Sequence, residues 1–326
     1  MTFPTFSRRA VLGAAAALPF AALAQAAPAF KPNRPVKLIS PLLAGGATDA
    51  IMRPVAQKLG ELWGQQVVVE NRAGGGTVIG TQAVVTAPPD GYTLGIVISA
   101  LTINPSLRND LPYDTLRDVT PVIHIGNVTG ALVAHPSFAP NNVREYLAAA
   151  KEKPGGLSWA SLGIGTGGHI TGELLHRKAG VQLVHVPFNG SSAAYREVLP
   201  GRVPVAFVVL ESALPHVKAG KLKLLALTDT RRSKLHPDVP IVAETVPGVG
   251  FESVFGIIAP RGTPADVVQA INADLARVMA DAEVRKRLEE QSVEVVGGPP
   301  ADFAATIRRN VDYWKSAVKE SGAQLN

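Results

Sequence analysis

Cysteine is absent from the 326 residues, which excludes a disulfide framework, thiolate metal sites and a cysteine nucleophile. Aromatic residues make up 6% and charged residues 18% of the chain. The few aromatics are not interleaved with bases, so no stacking platform for nucleic acid is visible. Nowhere do five basic residues cluster. Past the first residues, no apolar run approaches the 18 needed for a membrane-spanning helix. What is plentiful is apolar character, at 46%, too high for a disordered chain. A chain this long favours two lobes over one, because single cores stop growing near ~250–300 residues.

Residues 1–26 read as an export signal. Ser7-Arg8-Arg9 is a short basic start, Ala10 to Ala24 is an Ala-rich apolar run, and Ala24-Gln25-Ala26 is a small-x-small cleavage site. The arginine pair fits twin-arginine export, and a plain Sec signal fits too. Either route predicts a periplasmic protein. The net charge of +6 includes two signal arginines. The remaining 30 bases against 26 acids leave +4, which argues against a nucleic-acid partner.

Short apolar runs alternate with helical patterns. Val36–Ser40, Gln66–Glu70 and Tyr92–Ile98 read as strands separated by helices, which is βαβαβ spacing and implies parallel pairing. The pattern restarts with strands at Val119–Ile125, Ala131–Ala134, Leu157–Ser161, Leu183–Pro187, Val203–Val209 and Leu222–Leu227. After one more strand, Phe255–Ala259, the chain turns helical, with Thr263 as the expected N-cap and Pro264 as the first helical residue. Phe303, Ile307, Val311, Trp314 and Val318 form the core stripe of the last helix. The helical tail is expected to return to the first unit. This divides the chain into a signal (1–26), a discontinuous lobe 1 (27–127 and 251–326) and lobe 2 (128–250).

Three loops share one design, each following a strand and opening a helix. They are Leu42-Leu43-Ala44-Gly45-Gly46-Ala47-Thr48-Asp49, Gly163-Ile164-Gly165-Thr166-Gly167-Gly168-His169 and Phe188-Asn189-Gly190-Ser191-Ser192. Ligands of open α/β sheets bind beyond the carboxyl ends of the strands. Helix N-termini there offer unpaired N–H groups and the positive end of a dipole. Such loops suit a carboxylate. Gly163-x-Gly165-x-x-Gly168 also matches a dinucleotide fingerprint, but no acid ends the next strand to hold a ribose. No nicotinamide or other cofactor is therefore expected.

Single residues within these loops carry alternatives. Asp49 could receive a ligand amino group or cap its own helix, and Thr48 could donate its hydroxyl to a carboxylate. His169 could touch the ligand or pack. Asn189 belongs to the third loop. Glu211, after the apolar strand Val205–Leu210, is the candidate acidic selector among ligands. The other six histidines look scattered, without a helical i, i+4 pair, so no metal site is visible. Ser191 and Ser192 lack a nucleophile-elbow context, and no catalytic residue is assigned.

The loops and the segments between them resemble the Bug family, the substrate-binding proteins of tripartite tricarboxylate transporters. The resemblance runs through Pro35-Val36-Lys37-Leu38-Ile39, Gly45-Gly46-x-x-Asp49, Val67-Val68-Val69-Glu70-Asn71-Arg72 and Pro89-Asp90-Gly91-Tyr92-Thr93-Leu94. It continues through Ile103-Asn104-Pro105-Ser106-Leu107, Leu111-Pro112-Tyr113-Asp114, Gly165-Thr166-x-x-His169 and His185-Val186-Pro187-Phe188. It closes with Ala213–Gly220 and Phe255–Pro260. It implies a two-lobed periplasmic binding fold of type II character, with parallel-dominated sheets and a cleft that closes on a carboxylate without catalysis. It implies delivery to a transporter of one large and one small membrane subunit, by a protein acting as a monomer. It places binding residues on the loops Leu42–Asp49 and Gly163–His169, with help from Ser99 after the third strand. Two departures stand out. The first loop reads Leu42-Leu43-Ala44 where the family carries an aromatic residue and prolines, and Leu210-Glu211 stands where Asp-Asn is common. An extracytoplasmic sensor for a signalling kinase, and more remotely a periplasmic enzyme, are the competing readings.

Overall fold

The computed structural model describes residues 30–188 and 190–323. The expected export signal and Asn189 lie outside the described residues.

The first sheet has six strands in the order β11-β4-β10-β3-β1-β2. They are β1 (Val36–Ser40), β2 (Val67–Asn71), β3 (Thr93–Val97), β4 (Val119–Val128), β10 (Phe255–Pro260) and β11 (Val293–Val295). The second has five, in the order β7-β6-β8-β5-β9: β5 (Gly130–Ala134), β6 (Ser158–Ser161), β7 (Val184–Pro187), β8 (Val205–Val209) and β9 (Lys223–Leu227). The helices are α1 (Ala47–Trp63), α2 (Val78–Val85), α3 (Ala100–Leu107), α4 (Val143–Glu152), α5 (Gly167–Ala179), α6 (Ser191–Val198), α7 (Leu210–Lys218), α8 (Ala265–Ala280), α9 (Ala282–Glu290) and α10 (Pro300–Ser321).

The two-lobed α/β architecture is present, but the sheets are mixed rather than parallel-dominated. β1 pairs in parallel with β2 and β3, and β6 with β7 and β8. β10 and β5 run antiparallel to both of their neighbours. The reason is topological. β4 ends at Val128 and β5 begins at Gly130, so the chain passes between sheets at Thr129. Gly130 pairs with Val209, the last residue of β8, so β5 enters at the carboxyl edge of β6–β8 and must run against them. The return works the same way. β9 ends at Leu227, and β10 starts with Phe255 opposite Gly126, near the carboxyl end of β4. Both passages therefore join the carboxyl edges of the two sheets.

Apolar side chains fill both sides of each sheet. Leu38, Ile96, Ile123 and Ile257 are buried with Met52, Val55 and Leu59 of α1 and Ile271 and Leu275 of α8. Ile271 and Leu275 lie four apart on the buried face of α8. Thr263 is not an N-cap: its Oγ1 donates to Pro260 O at 2.8 Å, and α8 starts at Ala265 with Pro264 in the cap position.

α10 does not stay with the first sheet. Phe303 and Ile307 pack with Ile39, Val97 and Ile258, whereas Trp314 and Ala317 join Trp159, Ile170, Leu174 and Phe207 under the second. At i, i+7 and i, i+11 one stripe reaches two cores, and a 22-residue helix of about 33 Å is long enough to do so. It forms a third link between the lobes.

Candidate functional site

The β1–α1 loop is built around Asp49, which is 4% exposed. Its Oδ2 accepts from Gly45 N–H at 3.0 Å and from Arg53 Nη2 at 2.8 Å, and its Oδ1 accepts from Asn71 Nδ2 at 2.9 Å. Asn71 also donates to Leu42 O at 3.0 Å. Burial pushes the Asp49 carboxyl up, and Asn71, Gly45 and Arg53 together bring it below the ordinary carboxylate range. Its acceptor capacity is committed to the loop, so neither the ligand role nor a plain N-cap describes it. It reaches back to Gly45, the residue before the N-cap Gly46, one step further than the acid of a capping box does.

The β6–α5 loop repeats the device. Gly165 N–H donates to His169 Nδ1 at 3.1 Å, again from i to i+4. Thr166 is the N-cap; its Oγ1 accepts from His169 N–H at 3.3 Å and donates to Gly163 O at 2.7 Å.

These bonds change which amides can serve a ligand. Gly45 and Gly165, the natural choices from sequence, have their N–H groups occupied. The first helical bond of α1 is Ala50 N to Gly46 O at 3.1 Å, and that of α5 is Ile170 N to Thr166 O at 3.1 Å. Ahead of them, the N–H groups of Thr48 and Asp49 in α1, and of Gly167 and Gly168 in α5, have no partner among the described residues, because first-turn amides have none within their own helix. Two helices thus leave four donors and two positive dipole ends open at the carboxyl edges of the two sheets. Leu43 (79% exposed) and Ile164 (41%) stand at the lips of the two loops, with Ala44 and Gly46 exposed beside Leu43.

The remaining candidates sit by the passages. Ser99 Oγ accepts from Val254 N–H at 3.0 Å, which ties the end of β3 to the returning chain and leaves the hydroxyl hydrogen to donate. A Cβ added at Gly167 would lie 2.7 Å from the Phe251 ring, so α5 begins directly against that passage. Glu211 is half-buried in the first turn of α7, and burial raises its carboxyl pKa. Its neighbour Leu210 donates its N–H to Thr129 O at 2.9 Å.

Three of the seven histidines, His169, His176 and His185, come together in space. β6 and β7 pair Trp159 with His185, and the two rings stack at 4.3 Å. His169 stacks on His185 at 4.4 Å, and His176, two turns along α5, bonds Tyr146 Oη at 2.7 Å. Burial lowers the pKa of His169 and His185 to about 4 and of His176 to about 3. Sequence reading missed this cluster because strand register, not spacing, assembles it. It also missed the i, i+4 pair His169 and Glu173, which with His185 brings three potential metal-ligand atoms within 4.8 Å. The bonding argues against a cation there. A proton donated into Nδ1 leaves Nε2 of His169 carrying its own hydrogen, and two nearly parallel stacked rings point no shared lone-pair direction. The cluster supports the loop from beneath.

Two lobes joined at the carboxyl edges of their sheets, with helix N-termini open there, define a solute-binding protein. The comparisons agree. The family model described as the tripartite tricarboxylate transporter family receptor matches residues 51–323, and the chain belongs to that family. The UPF0065 protein in the tcbD-tcbE intergenic region of Pseudomonas sp. strain P51 is 35% identical over 98% of this chain and 96% of its own. A Rhodopseudomonas palustris protein solved with adipate is similar at 32% identity and TM-score 0.80, over 90% of this chain and 99% of that one. The periplasmic binding protein BugD is similar at 30% identity and TM-score 0.76, over 90% and 99%.

Proposed function

We propose that this protein is an extracytoplasmic receptor that captures a small carboxylate by closing the lobe of the first sheet on the lobe of the second, with α10 bridging the two. It delivers the ligand, as a monomer, to a tripartite tricarboxylate-type transporter of one large and one small membrane subunit. No chemistry is done on the ligand. One carboxylate is held by Ala47, Thr48 and Asp49 N–H from one lobe and by Gly167 and Gly168 N–H from the other.

The unspent first-turn amides of α1 and α5 carry this reading. A hydrogen bond to a charged group nets about 1.5–3 kcal/mol, and a carboxylate accepts about four, so the amides supply roughly 6–12 kcal/mol before ordering costs. Micromolar binding needs about 8 kcal/mol. Backbone dipoles therefore suffice without an ion pair, which fits glycine loops that carry no Lys or Arg. Adipate in a similar protein supports the ligand class.

A thermal-shift screen over mono-, di- and tricarboxylates, amino acids and aromatic acids tests it. A binder at 100 times its Kd stabilises the protein by about 2.7 kcal/mol. Scattering by the same complex should show compaction. A binder whose affinity ignores the amides, or turnover of a carboxylate, would refute the reading.

A further inference from the structure

We infer that Glu211 selects a ligand bearing a hydrogen-bond donor, an ammonium group above all, at the end away from its carboxylate, so that the preferred class is an amino-carboxylate rather than a dicarboxylate. The inference rests on the carboxylate site proposed above.

Four observations carry it. First, Glu211 stands at the carboxyl end of β8, next to the Thr129 passage, which places it on the rim of the cleft. Second, among the described residues nothing neutralises it: no Lys, Arg or His forms an ion pair with it, unlike Asp49, whose partner is Arg53 at 2.8 Å. Third, the hydroxyls beside it are committed elsewhere. Ser212 Oγ donates to Val209 O at 2.9 Å, which leaves Tyr195 Oη, 3.0 Å away, as the donor to Ser212 Oγ. Fourth, the surroundings penalise the charge: burial is the one cause raising its pKa, although a helix N-terminus favours an anion.

A half-buried carboxylate without donors asks for one from the ligand. A second carboxylate brought to the same place would set like charges together away from water, which weakens binding. An ammonium group would instead replace the water that closure removes. The exposed Leu43 and Ile164 on the amide-bearing loops suit methylene groups between the two ends.

The test uses matched pairs in calorimetry, because the span from amides to Glu211 is set by closure. The pairs are succinate with 4-aminobutanoate, glutarate with 5-aminopentanoate, and adipate with 6-aminohexanoate, on the full mature protein and on Glu211→Gln. The wild type should prefer one amino acid over its dicarboxylate by at least about tenfold, and Glu211→Gln should abolish or reverse that preference. A dicarboxylate preferred by the wild type, or a preference that Glu211→Gln leaves in place, overturns the inference. In that outcome the amide site still stands if Ala47→Pro weakens every binder. If no probe binds either protein, the inference fails, while the carboxylate site stands or falls with the wider thermal-shift screen.

Discussion

Gly165 donates its backbone N–H to Nδ1 of His169 at 3.1 Å, and Gly45 makes the equivalent bond to Asp49 at 3.0 Å in the other lobe. Each loop thus sacrifices one amide to hold the next two or three in place. His169→Phe keeps the stack on His185 but accepts nothing. It should weaken carboxylate binding about fivefold, the value of one ordinary bond of about 1 kcal/mol, measured by calorimetry at pH 7.5.

Asn71 is the matching support in the first lobe. Asn71→Ala leaves buried Asp49 short of one donor and frees Leu42 O. Loss of a partner to a buried charged group costs about 1–3 kcal/mol. Denaturant melts should show that loss, and ligand affinity should fall with it.

Gly172 in α5 has no room for a side chain: a Cβ there would lie 2.5 Å from the Trp159 ring and 3.1 Å from Phe207. Gly172→Ala should cost about 1–3 kcal/mol through overpacking, although alanine is the better helix former. A melting temperature equal to or above that of the wild type would contradict this packing.

The pH profile of stability has two limbs. His169, His185 and His176 have folded pKa values lowered from 6.5 to about 4, about 4 and about 3. A depressed base keeps its full contribution above pH 6.5 and loses it as pH falls toward those values. Asp229, by the Thr129 passage, has its pKa raised to about 7 by burial and by Glu294, with Thr129 and Arg231 opposing in part. Its Oδ2 is buried without a partner. A raised acid contributes fully below 3.8 and loses that contribution as pH rises through about 7. The three histidines outweigh the one aspartate, so thermal melts should fall steeply below about pH 6.5 and change little between neutrality and pH 8. Asp229→Asn should raise stability at pH 8 and leave it unchanged near pH 4.

Much of this architecture was legible before the fold was seen. Strands and helices announce themselves by apolar period, and Thr166, Gly167 and Gly168 announce a helix start. The remainder depends on contacts that local spacing does not encode. Nothing in Gly45 or Gly165 says that its amide is taken, because Asp49 and His169 look equally apt to face a ligand. Trp159, His169 and His185 meet only through the register of β6 and β7. Trp314 and Phe303 share one stripe yet serve two cores, because the helix outruns the first sheet. The antiparallel insertion of β5 and β10 follows from where the chain crosses, which no periodicity shows.

If first-turn amides hold the carboxylate, Ala47→Pro should weaken binding by removing one of them. Proline is well suited to the first helical position, and Gly46 before it is already extended at ψ 179°, so the fold should persist. The exchange removes one N–H and no charge. Calorimetry with the tightest carboxylate from the screen should show at least about a tenfold loss of affinity, with the ligand-free melting temperature unchanged. Full affinity in a normally folded Ala47→Pro protein would contradict the account.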